Sequence, residues 1–189
     1  MRRPIEQLKL HLEAMIGDED KVEEVMNVAA GIIVKEDEYG NPMVLLIQRA
    51  ADDHWPLHFE FPRGKCDNGK NENVHKCLYR EVKEETGLDV EIEMFLGKFV
   101  YYADKGKRKS ICYNYQCKMK TPNQNVKLSH EHEGYKWITQ SGEAELMIHP
   151  DQKRFVDQVL SKDNPIKNTP ENDFTVNNTL DEYMQIIEE

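Results

Sequence analysis

Arg80-Glu81-Val82-Lys83-Glu84-Glu85-Thr86-Gly87-Leu88 is the stretch on which the reading of this chain turns. A helix advances about 100° per residue, so Glu81, Glu84 and Glu85 fall on one face at i, i+3 and i+4. Three glutamates so close repel one another unless a cation stands between them. Hard divalent ions such as Mg²⁺ or Mn²⁺ prefer carboxylate oxygens. Arg80 can brace Glu84 at i+4 or orient its neighbour Glu81. The ordinary reading of such a run is a solvated acidic helix face. Its setting argues for more: a glycine loop bearing Arg63 and Lys65 around Gly64 precedes it, and Gly87 closes it. The composition predicts a helix from Asn73 to Thr86, with Gly87 as the stop.

Outward from that helix, the chain reads as strands, helix, strands, helix. Val28 to Val34 is small and apolar, a buried strand. Asp37-Glu38-Tyr39-Gly40-Asn41-Pro42 is a turn, and Met43 to Gln48 a second strand, together a hairpin. Leu57 to Phe61 alternates as a short half-buried strand, and Pro62 to Asn71 is a loop. Val90 to Tyr102 predicts a long or bent strand, Ala103 to Lys109 a basic turn, Ser110 to Met119 and Tyr135 to Ile138 further strands, and His149 to Ser161 a helix. This order is a mixed α/β or α+β sandwich and not a regular βαβ repeat.

The 189 residues carry 35 acids and 25 bases, a net charge of −10. Half of the excess lies in Lys162 to Glu189, which predicts an extended acidic tail with a final short helix opened by Thr179. The acidic total argues against broad binding to long nucleic acid, while the only mildly acidic body leaves a phosphate-rich substrate open. No run of 18 apolar residues is present, which excludes a transmembrane helix in the given sequence. The first residues read as an amphipathic helix (Ile5, Leu8, Leu12, Met15, Ile16), because charged residues interrupt any signal-peptide core. Cys66, Cys77, Cys112 and Cys117 form no C-x2-C pair. Cys112 and Cys117, five apart on a strand, face opposite ways. Free thiols in a reducing, cytoplasmic setting are the expectation. Asn177-Asn178-Thr179 is a glycosylation sequon that chance readily supplies.

The segment Gly64 to Leu88 resembles the signature of the Nudix hydrolase superfamily, G-x5-E-x7-R-E-U-x-E-E-x-G-U, where U is a bulky aliphatic residue. Arg80, Glu81, Val82, Glu84, Glu85, Gly87 and Leu88 match, and Glu72 stands eight before Arg80. Seven residues separate Gly64 from Glu72 where the family has five. Either the loop holds a two-residue insertion, or Lys70 takes the glutamate's place and the helix side is longer. The insertion is preferred, because loops accept added residues at little cost. Val28 to Arg49, Phe59 to Gly64 and Glu131 to Trp137 look like the domain's other landmarks.

The resemblance implies an α/β/α sandwich around a mixed sheet, with the signature as a loop-helix-loop. It divides the chain into an N-terminal helix and acidic linker (1–26), a Nudix domain (27–161) and a tail (162–189). It implies hydrolysis of a diphosphate bond in a nucleoside diphosphate linked to a group X, with Mg²⁺ or Mn²⁺. Glu84 and Glu85 are implied as main metal ligands, Glu81 as ligand or base, the Gly64 carbonyl as a further ligand, and Arg80 as part of the catalytic set. The general base comes from a later loop in several subfamilies; Glu131 is the candidate and Glu133 the second.

The run Phe61-Pro62-Arg63-Gly64-Lys65 looks like that of polyphosphate-handling members. The favoured substrates are a dinucleoside polyphosphate or an mRNA 5′ cap. A diphosphoinositol polyphosphate, ADP-ribose or an oxidised nucleotide is the alternative, and a silent module binding RNA or protein is the alternative of another class. Arg49, Arg63, Lys65, Tyr101, Lys107 and Arg108 are the candidate substrate contacts. The last two lie in the basic island Lys105-Gly106-Lys107-Arg108-Lys109, which otherwise reads as a solvated hairpin tip. His54, Trp55, Tyr101 and Tyr102 are candidates to stack a base. A strand-face role competes for Tyr101, which shares a face with Phe99. No membrane contact is expected, and the sequence leaves the oligomeric state open.

Overall fold

In the computed structural model, the apolar run 28–34 is the centre of a longer strand, β1 (Glu24–Glu36). The structure describes residues 17–53, 55–66, 72–140 and 150–161. The expected N-terminal amphipathic helix, His54, Lys70, and the tail with its short helix and sequon lie outside the described residues. Strand β1 exceeds its apolar run because β6 (Arg108–Met119) pairs with it in parallel from Glu24↔Arg108 to Val34↔Lys118. Val28 to Ile33 are buried without interruption, as expected of a strand covered on both faces.

Strand β2 (Pro42–Arg49) returns antiparallel to β1 through the expected hairpin. The Asp37 carboxylate fastens the turn, accepting from the N–H groups of Tyr39 and Asn41, each at 2.8 Å. Of the run Leu57 to Phe61, only β3 (Phe59–Glu60) is strand, because Leu57 adopts φ 63° and breaks the extended run. The loop after it holds a short strand the sequence did not suggest, β4 (Arg63–Lys65), antiparallel to β1 with Ala29 opposite Gly64 and Ala30 opposite Arg63.

Helix α1 (Val74–Thr86) leads into β5 (Val90–Ala103), which pairs with β6 and is bent by bulges near Ile92 and Phe95. A 3-10 turn, Asp104–Gly106, joins them. Strand β7 (His132–Ile138) begins three residues before Tyr135, because its pairing with β2 continues past a bulge to Arg49↔His132. Helix α2 (Pro150–Leu160) is the last described element.

The sheet runs β3-β2-β1-β6-β5, with β4 also on β1 and β7 also on β2. Helix α1 covers one face through Cys77, Leu78 and Val82 against Ala29, Ile33 and Cys117. Helix α2 covers the other through Phe155 and Val156 against Ala30, Phe99 and Cys112. Cys112 and Cys117 thus face opposite layers, and all four cysteines are free and buried. The result is an α+β sandwich with helices on both faces of a mixed sheet. Among the described residues, no helix is long and apolar enough to cross a membrane.

Candidate functional site

The glutamates are presented by a helix fixed at both ends. The Asn73 side chain caps α1, accepting from Lys76 N–H at 3.0 Å. Gly87 ends it in the left-handed region, φ 71°, with its N–H on Lys83 O at 2.9 Å. The β1–β4 register turns Gly64 to the α1 face with Ala29. There the Glu81 carboxylate lies directly against the Gly64 Cα, in the space a Cβ would fill. Glycine at 64 is therefore a condition of the approach between strand and glutamate.

Arg80 binds Glu72 with two bonds, Nε to Oε1 at 2.9 Å and Nη2 to Oε2 at 2.8 Å. Its Nη1 donates to Glu81 at 2.6 Å and to Glu84 at 3.2 Å, and Nη2 donates to Lys65 O at 3.1 Å. One guanidinium thus holds Glu72, just before α1, together with two signature carboxylates. Glu84 is the open member of the set, its side chain 60% exposed. Glu85 is buried and accepts from Arg63 N–H at 2.9 Å. Burial, then the neighbouring Glu60 carboxylate, pushes its acid well above the ordinary range. Burial also raises Glu81, against the pull of Arg80.

The opposite wall is organised around Glu60, which the sequence suggested only as the polar position of an alternating strand. It is 2% exposed. Its Oε1 accepts from Arg49 Nη1 at 2.5 Å, its Oε2 from Arg63 Nε at 2.9 Å, and His132 Nε2 lies 3.6 Å from Oε1. Burial would raise this carboxyl, but Arg63, His132 and Arg49 outweigh it and hold the group down at about 2. Arg49 also binds Asp53 at 2.6 Å.

The Arg63 guanidinium turns toward the α2 face and lies 5.4 Å over the Tyr101 ring. Tyr101 also packs against Phe99. Glu60, Asp53 and His132 escaped the sequence reading; the Glu60-x-x-Arg63 spacing was the one available signal.

The segment before β7 docks on the C-terminal end of α1. Lys127 N–H donates to Thr86 O at 2.8 Å and Ser129 N–H to Glu85 O at 3.1 Å. Glu131 is thereby brought beside the site, with its carbonyl bound by Ala50 N–H at 3.0 Å, next to Arg49, and its side chain exposed. Glu133 instead accepts from Ala51 N–H at 3.3 Å.

The structure gathers Arg49, Gly64, Arg80, Glu81, Glu84 and Glu85 in one region, with the Glu131 backbone beside it; Lys65, opposite Val28, shares the α2 face with Arg63 and meets Arg80 through its carbonyl alone. Lys107 and Arg108 are not part of that region. Ala29 is opposite Gly64 on one side and Tyr113 on the other, and Arg108 lies five residues further along β6, about 16 Å at the usual strand rise. Lys107 pairs with Glu23 at 2.8 Å and Arg108 with Asp104 at 2.8 Å.

The donor set suits a hard cation: carboxylates from one helix face and a carbonyl from the strand that Glu81 abuts. Burial is the first cause of the raised acids of Glu81 and Glu85, and a divalent ion would stabilise their charged forms. Among the described residues, no three such side chains are already drawn into a ready metal shell. Arg80 supplies countercharge to Glu81 and Glu84 in this arrangement.

A family model described as the NUDIX domain matches residues 25–159. The chain belongs to the Nudix family. It is a Nudix hydrolase, an enzyme acting on pyrophosphate bonds. A Caenorhabditis elegans bis(5'-nucleosyl)-tetraphosphatase [asymmetrical] is 34% identical over 112 residues, 58% of this chain and 76% of the relative. A Proteus vulgaris 8-oxo-dGTP diphosphatase is 38% identical over 65 residues, 34% of this chain and about half (53%) of the relative. The crystal structure of a C. elegans Ap4A hydrolase binary complex superposes with a TM-score of 0.59 at 24% identity, covering 70% of this chain and 93% of that one. That likeness establishes the Nudix fold.

Proposed function

We propose that this Nudix hydrolase uses Mg²⁺ or Mn²⁺ to split a phosphoanhydride bond of a dinucleoside polyphosphate. The observation that carries the reading is Glu81 seated on Gly64 with Glu85 held beside it by the Arg63 N–H. The relatives named bis(5'-nucleosyl)-tetraphosphatase support the substrate class. Glu81, Glu84, Glu85 and the Gly64 carbonyl would hold the ion, which when bound neutralises phosphate oxygens and lowers the pKa of water.

Arg80 keeps Glu81 and Glu84 turned to a common side. Glu131, exposed beside Arg49, takes the proton of the attacking water. The water oxygen bonds to phosphorus, the P–O bond to the departing nucleotide breaks, and that bridging oxygen leaves with the electron pair. Arg49, anchored by Glu60 and Asp53, meets the negative charge of the phosphate chain. Residues 27–161 form the catalytic unit between acidic flanks, and four free buried thiols suit a reducing, cytoplasmic setting.

The test is a substrate panel with Mg²⁺ and with Mn²⁺: a bis(5'-nucleosyl) tetraphosphate, capped RNA, 8-oxo-dGTP, ADP-ribose and a diphosphoinositol polyphosphate. Turnover is expected to be fastest on the tetraphosphate and to fall away in Glu84→Gln. A capped RNA 5′ end presents the same kind of phosphate chain between two nucleosides and is the second substrate. Faster turnover of 8-oxo-dGTP would move the assignment to nucleotide sanitation.

A further inference from the structure

We infer that Glu60 is a positioning residue of the active site, a single buried carboxylate that fixes Arg49, the strand holding Glu85, and the segment carrying Glu131. Three arms leave it. The first runs to Arg49 Nη1 at 2.5 Å, and Asp53 holds the far side of that guanidinium at 2.6 Å. The second runs to Arg63 Nε at 2.9 Å, and the N–H of the same residue holds Glu85 Oε2 at 2.9 Å. The third reaches His132, whose Nε2 lies 3.6 Å away and whose Nδ1 meets Ser129 Oγ at 3.3 Å. Ser129 in turn donates its N–H to Glu85 O at 3.1 Å, two residues before Glu131.

The arms come from β2, β4 and β7, which do not all pair with one another. Strands β2 and β7 are already paired at Arg49↔His132, whereas β4 pairs with neither, so the Glu60 bonds to Arg49 and Arg63 set a β2–β4 distance that direct strand pairing leaves free, with His132 packed alongside. The arrangement also gives Arg63 a distinct task. Its side chain lies under Tyr101 and against Glu60, on the opposite sheet face from α1. Arg63 therefore acts through its backbone N–H on Glu85, with its guanidinium as the anchor. Partners of this kind behind metal-binding groups commonly shift affinity or rate 10–100-fold when altered.

The inference rests on the reading of Glu81, Glu84 and Glu85 as the reacting site. Glu60→Asp keeps the charge and withdraws the carboxylate by one methylene. Measured on the tetraphosphate, kcat is expected to fall about tenfold with KM within about twofold, and Mn²⁺ affinity, followed by the electron paramagnetic resonance of free Mn²⁺, to weaken about tenfold. Arg63→Lys, which keeps a cation but loses the Nε contact, is the second variant and should behave alike. The double variant should be little worse than the poorer single one, since both act along one arm. A lower melting temperature with unchanged kcat and Mn²⁺ affinity in the folded variants would reduce Glu60 to a core ion pair and overturn the inference. Glu84→Gln in the same assay separates the two levels. Its loss of turnover, with Glu60→Asp unaffected, removes only the positioning role; its retention of turnover removes the site reading and the inference together.

Discussion

Glu85 shows what the site costs at the scale of one residue. A buried acid with Glu60 and Glu81 nearby is charged only against burial and like-charge repulsion. A group whose acid is raised in the folded state destabilises the fold at neutral pH, and the penalty fades as pH falls through its folded pKa. Glu60 has the opposite sign: held down at about 2, it contributes stability above the ordinary carboxylate range that is lost as pH falls toward 2. Glu85→Gln should therefore raise the melting temperature of the metal-free protein by a few degrees while removing turnover, as thermal denaturation and an activity assay would show. A lowered melting temperature would mean that the charge is compensated as it stands.

Gly64→Ala makes a steric test of the same site. The new Cβ takes the space of the Glu81 carboxylate, so turnover should drop about a hundredfold with the circular dichroism unchanged. The glutamates and Gly64 were legible because the signature places them within one loop and helix. Glu60 was not, because its partners Arg49, Arg63 and His132 meet only after β2, β4 and β7 assemble.

At the scale of elements, local chemistry carried the reading of α1. Asn73 is its cap, and Gly87 stops it at positive φ. Asn73→Ala should cost about 1 kcal/mol, a fall of about 2–4 °C in Tm for a domain of this size. Turnover well below the transition should stay near wild type. The hairpin turn was equally legible, since Asp37 closes it through its own side chain. The short strand β4 was not: Arg63-Gly64-Lys65 carries no apolar alternation, and it is a strand because β1 offers an edge to pair with. Strand β3 shrank for a converse reason, the left-handed Leu57.

The segment 127–131 is an element-scale device too, docking on Thr86 and Glu85 carbonyls to bring Glu131 in. Glu131→Gln should lower kcat while leaving Mn²⁺ affinity unchanged. A parallel loss of affinity would make Glu131 a ligand and move the base elsewhere.

For the whole molecule, the net charge of −10 concealed an internal pairing of acidic and basic segments. Glu19 accepts from Tyr102 and from Lys109, each at 2.6 Å, and Glu23 pairs with Lys107. The acidic stretch before β1 thus lies against the basic turn between β5 and β6, a pairing invisible in sequence because the segments are more than eighty positions apart. Replacing Lys107 and Arg108 by alanine should leave KM for a bis(5'-nucleosyl) tetraphosphate within about twofold. A raised KM confined to capped RNA would give the turn a role with longer anions. In the proposed reaction Glu81, Glu84 and Glu85 act with a divalent ion on a phosphate chain between two nucleosides. Its most direct test is hydrolysis of a bis(5'-nucleosyl) tetraphosphate by the wild-type chain and by Glu84→Gln, with Mg²⁺ and with chelator. Metal-dependent cleavage should fall more than about a hundredfold in Glu84→Gln, a ligand costing more than its supporting partners; cleavage by Glu84→Gln at the wild-type rate would rule out the carboxylate's part in the reaction.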